Sequence, residues 1–377
     1  MFVKILKKIN AWLHLWLGLA SGVVVIILGI TGCILVFEQE IKSLTSSWLH
    51  VEKQPGQTVL APSVLYQSVT EALPDKKIRS VWYHGENRTA QFSLNSDSTV
   101  YVNPYTAEVV AMVDHEDFFH FIDEGHFHLW FPEEIGEHVV GWGTFIFFIL
   151  LLTGIVLWWP KKWNKAGKDQ SFKIKWKAKF KRVNYDLHNV LGFYSLILAL
   201  LMAITALIMS FAWFSNGFYW LTGGAGKPSK RTEISITKSS TNSALQNADL
   251  IWHKVTKEIA QYNKDQIIVS FNEKPEDPIY ACTDMINGYW RDLYFDPGNL
   301  TLMANSNQKL QELKFADQIR KLNYALHVGA FGGITTKVMY FLASLICASL
   351  PITGFYIWWG KKKKGSRKKP KSKLITA

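Results

Sequence analysis

The chain has 377 residues, enough for two or three soluble domains. Four apolar stretches, near 12–37, 138–159, 190–214 and 335–359, each reach the roughly 20 helical residues that cross a hydrocarbon core, so a membrane protein is expected instead. The net charge of +12 does not read as nucleic-acid binding, because it is segregated. Residues 1–8, 161–182 and 361–373 hold 22 of the 42 Lys and Arg, while 38–137 and 215–334 hold 28 of the 30 acidic residues. Basic loops mark the cytoplasmic side. Both termini and the middle loop are therefore expected inside, with their lysines against anionic membrane lipids, and the two long loops outside.

The first span opens on Lys7-Lys8-Ile9-Asn10-Ala11-Trp12-Leu13-His14, followed by Leu15-Trp16-Leu17-Gly18. Its Ile30-Thr31-Gly32-Cys33 is similar to a lipoprotein cleavage box. The apolar run is too long for a signal peptide, however, and apolar Ile34-Leu35-Val36-Phe37 follows the cysteine. The first long loop reads as a helix over 61–73 and strands near 77–83, 89–94, 98–103 and 107–113. An amphipathic segment, 113–128, would lie on the outer interface. The second span ends Thr153-Gly154-Ile155-Val156-Leu157-Trp158-Trp159, an interfacial aromatic pair ahead of Lys161 and Lys162.

The third span repeats the opening phrase as Lys181-Arg182-Val183-Asn184-Tyr185-Asp186-Leu187-His188. His14 precedes Thr31 by 17 residues, and His188 precedes Thr205 by 17. The second long loop again reads helix (246–262), then strands near 266–271, 278–283, 289–295 and 300–304. A second amphipathic segment, 308–327, leads to the fourth span, which ends Thr353-Gly354-Phe355-Tyr356-Ile357-Trp358-Trp359. The segments are thus 1–37, 38–113, 114–160, 161–182, 183–214, 215–307, 308–360 and 361–377. Two halves of equal orientation form a parallel repeat about an axis along the membrane normal. The fold class expected is a four-helix transmembrane bundle from a tandem duplication, with two outer α+β domains. A histidine placed twice at a bilayer edge suggests two facing ligands for a cofactor, and haem is the first candidate.

With its Leu-His-x-x-Leu-Gly starts at His14 and His188, its Thr-Gly helix ends and its two outer domains, the chain resembles the PepSY-associated transmembrane family of bacterial inner-membrane proteins. The turns Tyr101-Val102-Asn103-Pro104-Tyr105-Thr106 and Leu293-Tyr294-Phe295-Asp296-Pro297-Gly298 look like the PepSY signature. The resemblance implies periplasmic PepSY-like domains and an inner-membrane location. It also implies two b-type haems, each with bis-His ligation, and reduction of a periplasmic ferric siderophore or other ferric chelate.

Bis-His ligation needs imidazoles on opposite faces of the macrocycle, each oriented by a further partner. His14 and His188 are expected to hold the inner haem. For the outer haem, His128 lies 25 residues before Thr153 and His327 lies 26 before Thr353, which nominates that pair. His126 and His138 are alternatives to His128, and His120 is close by. His50, His84, His115 and His253 have no partner at repeat spacing. No nucleotide- or flavin-binding motif is present, so the electron donor would be a quinol, a soluble flavin or flavoprotein, or another cytoplasmic reductase. Two rival readings are a non-enzymatic membrane protein that regulates a protease or binds a partner, and a subunit transporting iron or its chelate.

Overall fold

The computed structural model describes residues 2–96, 98–114, 118–225, 240–285, 288, 290–303 and 306–366, with side chains described from residue 4 and up to 360. His115 and most of the basic C-terminal tail lie outside the described residues.

The apolar spans all form helices, and each helix outruns its apolar run. α1 (Phe2–Leu35), α5 (Glu133–Trp158), α8 (Gly192–Ser210) with its lead-in, and α12 (Gly333–Ser366) are long and apolar enough to cross a membrane. The lead-in to α8 is α7 (Phe180–Asp186) and a π-helical turn, Leu187–Leu191, which carries His188. π-turns widen a helix by one residue and occur often at functional sites. α1 packs on α5 and α12, and α8 packs on the same two helices, so α1 and α8 face each other across the bundle diagonal. Close approach of α1 to α12 depends on glycine. A Cβ on Gly29 would lie 2.8 Å from Ala348 Cβ and 3.0 Å from the Ser344 carbonyl oxygen. Small residues of this kind let membrane helices approach backbone to backbone. Pro351, inside α12, packs opposite Gly22.

Between α1 and α5 the chain forms α2 (Glu38–Thr45), α3 (Pro62–Ala72), β1 (Ile78–Tyr83), β2 (Ala90–Leu94), β3 (Thr99–Val102), β4 (Val109–Val113) and α4 (Phe118–His128). α6 (Lys165–Phe172) lies in the basic middle loop. After α8 come α9 (Ala212–Leu221), α10 (Ala244–Glu258), β5 (Ile267–Ser270), β6 (Ile279–Thr283), β7 (Arg291–Phe295) and α11 (Phe315–Val328).

The expected two α+β units share one sheet. Its order is β4-β3-β2-β1-β5-β6-β7, and the central seam pairs Ser80 with Ser270 and Val81 with Val269, antiparallel. Pairing β1 with β5 removes one exposed edge from each half, which would otherwise carry unpaired backbone groups. α3 and α10 cover one face. Leu65, Val69, Ile251 and Val255 from these helices join Val81, Phe92, Ile267, Val269 and Phe295 in the core. Tyr83 stacks on Trp252 at 3.9 Å. Ser63 and Asp249 pin the two helices together, with the Ser63 hydroxyl donating at 2.6 Å. Residue 304 lies outside the described residues; over 300–303 the strand expected near 300–304 is reduced to one bridge, Phe295 with Leu302.

Candidate cofactor site: two histidine pairs

Residues four apart on a helix share one face. Asn10 and His14 on α1 both reach Thr153 of α5: Asn10 Nδ2 donates to the Thr153 carbonyl at 3.1 Å, and His14 Nδ1 lies 2.9 Å from Thr153 Oγ1. Asn184 and His188 grip Thr353 of α12 in the same way, at 3.0 and 2.9 Å. On the sheet side, Asn323 and His327 of α11 grip Thr205 of α8, both at 3.0 Å. The fourth grip is partial. His126 of α4 meets Thr31 of α1 at 2.8 Å, but Ile122 stands where the asparagine would be.

These contacts set the tautomer. A hydroxyl has a single proton. Thr31, Thr153, Thr205 and Thr353 donate theirs to the carbonyls of Ile27, Ile149, Leu201 and Ser349, at 2.8, 2.9, 2.7 and 3.1 Å. Each threonine oxygen is left to accept, so each histidine donates from Nδ1. The Leu350 and Met202 carbonyls, 3.1 and 3.2 Å from Nδ1 of His188 and His327, require the same assignment. All four Nε2 lone pairs are then free to ligate.

The rings face each other in two pairs. His14 and His188 have centroids 6.4 Å apart with planes at 90°, and His126 and His327 have centroids 6.3 Å apart at 59°. An imidazole nitrogen ligates a metal at roughly 2.0–2.1 Å, which puts two rings on opposite sides of one metal with centroids about 6.3 Å apart. Both pairs therefore fit bis-His ligation of a single iron. Along α1, the 17 residues from His14 to Thr31 span about 25 Å at 1.5 Å per residue, so the pairs sit near opposite ends of the bundle.

Glycine makes room for the rings. A Cβ on Gly154 or Gly354 would lie 3.3 Å from Cε1 of His14 or His188, and one on Gly32 would lie 3.4 Å from Cε1 of His126. The inner pair opens on a cavity of about 420 Å³, lined by Gly18, Gly154, Gly192, Gly354, Phe147 and Trp158 among others. An apolar slot between two imidazoles suits a flat macrocycle. Near the outer pair, Asn323 Oδ1 and Tyr340 Oη are buried without a hydrogen-bond partner among the described residues, and Gly329 packs on the Tyr340 ring two residues past His327.

The structure thus brings His14 to His188 and leaves His327 facing His126 rather than His128. His128 turns away, its Nδ1 held 3.1 Å from Glu124 Oε2, because residues two apart on a helix point to different faces. His138 is exposed on α5, and His120 is half-buried on α4. His50 donates to the Ser43 carbonyl, His84 meets Gln91, and His253 is exposed. What sequence reading missed is the Asn-x-x-x-His phrase as a Thr-gripping unit. It recurs at Asn10, Asn184 and Asn323, and it links His327 to the inner histidines.

A second cavity, about 430 Å³, lies at the β5–β7 side of the sheet. Lys264, Arg291, Lys309 and Lys321 line it with Asp265, Asp284 and Trp290. Lys321 is six residues before His327 on α11, a rise of about 9 Å. Comparison with known families shows that residues 11–361 match the family described as PepSY-associated TM region. Comparison with curated proteins finds no match.

Proposed function

For a chain that belongs to the PepSY-associated transmembrane family, we propose a di-haem electron-transfer protein that reduces a ferric chelate on the sheet side of the membrane. The observation that carries this reading is the double pairing of Nδ1-anchored imidazoles with centroids 6.4 and 6.3 Å apart. His14 and His188 would ligate one b-type haem, and His126 and His327 the other. Bound there, the haems would supply one-electron transfer between the two faces of the bilayer.

The chain's own residues do the rest. Four threonines hold the imidazoles in the ligating tautomer, and such partners also raise ligand basicity. Asn10, Asn184 and Asn323 tie the segments carrying His14, His188 and His327 onto the helices carrying their threonines. Glycines 32, 154 and 354 keep the backbone clear of the rings. The cavity beside Lys321 has four cations to two aspartates in its lining, although Arg291 is paired with Asp284 at 3.0 Å and Lys321 with Asp292 at 2.8 Å. This positive balance supports an anionic acceptor, such as a ferric siderophore, whose reduction to the ferrous state weakens its hold on hard oxygen ligands. The charge bias of the loops supports an inner membrane with both termini cytoplasmic, the sheet periplasmic, and the donor, a quinol or a reductase, on the basic side. The repeated grips support a tandem duplication.

The test is spectroscopic. Detergent-purified protein is expected to show a low-spin b-type spectrum on dithionite reduction, with two haems per chain, and ferric chelates are expected to reoxidise it. A colourless protein would refute the proposal and favour the anchor or regulator reading.

A further inference from the structure

The elbow between α4 and α5 holds ligating side chains that neither histidine pair uses. We propose that His128, Glu133 and Glu137 bind a divalent transition cation of the Fe2+ and Zn2+ class. One donor atom from each lies within 4.8 Å of the others. Donors on one metal at roughly 2.0–2.2 Å are about 3–3.6 Å apart. Closing the site takes shifts of about an ångström at two exposed glutamate tips, within ordinary rotamer freedom. One imidazole and two carboxylates suit borderline divalent metals better than Ca2+ or Mg2+, which prefer oxygen alone.

His128 already has a carboxylate partner on one ring nitrogen. Glu124 accepts from His128 Nδ1 at 3.1 Å, which leaves Nε2 as the free donor. Carboxylate–imidazole–metal relays have this form. The backbone is also shaped to bring His128 onto α5. A Cβ on Gly136 would lie 2.4 Å from the His128 carbonyl oxygen and 2.5 Å from its Cα, so this approach requires glycine. Leu129 and Trp130 turn the chain at φ of 54° and 58°, and Trp130 Nε1 fixes the turn by donating to the Phe121 carbonyl at 2.8 Å. Glu133 and Glu137 are four apart on one helical face, an arrangement that is repulsive without a cation. Glu133, in the first turn of α5, is favoured there by the helix dipole, which offsets part of that repulsion. If the proposed reduction operates, Fe2+ is freed on this same side of the bundle and is the fitting occupant. That choice of occupant rests on the proposed function; the binding site does not.

The test uses tag-free, full-length protein in nonionic detergent, titrated with Zn2+ by calorimetry. One Zn2+ per chain is expected, weakened at least about tenfold by Glu124→Gln and lost in Glu133→Gln/Glu137→Gln and in His128→Ala. Both glutamates are exposed, so the double variant reports binding even if His128→Ala misfolds. Wild-type protein that takes no Zn2+, or a double variant that binds as wild type does, would overturn the site and leave an acidic start to α5 only. No redox step enters the readout, so a colourless protein that still binds Zn2+ would sink the haem reading alone.

Discussion

A threonine hydroxyl whose proton is committed to its own helix can only accept, and this fixes four imidazoles at once. The prediction is sharpest where the sequence misled. His126→Ala is expected to remove about half of the haem absorbance, while His128→Ala retains it; the reverse result would return His128 to the outer pair. Thr153→Val keeps the shape and removes the acceptor. It is expected to weaken retention of the inner haem by about 10–100-fold, measured by haem loss to an apo-globin scavenger, with Thr153→Ser restoring it. His14 and His188 were legible because the same phrase surrounds both. His126 was not. It lies 27 residues before Thr153 and His128 lies 25, against 26 for His327 and Thr353, so spacing could not choose between them. The asparagine that would have marked His126 is Ile122.

Among the elements, glycine position rather than glycine count decides the packing. Gly29→Leu must push apart α1 and α12, and is expected to destabilise by about 1–3 kcal/mol in a detergent melt. Gly217→Ala, with nothing within 4 Å of the added methyl, is expected to stabilise α9 by up to about 1 kcal/mol. The sheet carries a pH dependence of its own. Burial lowers the His84 pKa from 6.5 to about 4, opposed by its Gln91 hydrogen bond. Between those values the unfolded chain is protonated and the folded chain is not, so stability falls as pH drops from 6.5 to 4. For this one group the loss is up to about 3 kcal/mol. The pH slope of the melting temperature should flatten in His84→Gln. Alternation marked most strands to within a few residues because β1, β2, β3, β5 and β7 each bury one face. The run at 300–304 failed as a strand through local chemistry. Asn299 Oδ1 accepts from the Thr301 amide at 2.9 Å, and Leu300 sits at φ 58°, so a turn claims the backbone first. The π-turn at His188 left no pattern in the sequence; the matching segment of α1 is a regular α-helix.

Across the whole molecule, the sheet and the bundle each join the first half of the chain to the second. The seam between β1 and β5 lies at the middle of the strand order, and the histidine pairs join one half of the chain to the other. This was the least legible feature, because each loop alone contains a complete helix-and-strand pattern. Only the geometry of two free edges, some 190 residues apart, makes them one sheet. The seam also ties the halves together on the side away from the basic loops, so relative motion of α4 and α11, which carry the outer histidines, is restrained. Ser80 and Ser270 are direct partners there. Opposed residues of an antiparallel pair have Cα atoms about 4.5–5.5 Å apart, within the range a disulfide spans. In Ser80→Cys/Ser270→Cys, a cross-link should therefore form on mild oxidation and appear as a faster band in non-reducing electrophoresis. Closing so long a loop is expected to stabilise the protein by about 4 kcal/mol. Two halves that merely sat side by side would give no such cross-link, and its absence would break the seam that makes one sheet of the two loops.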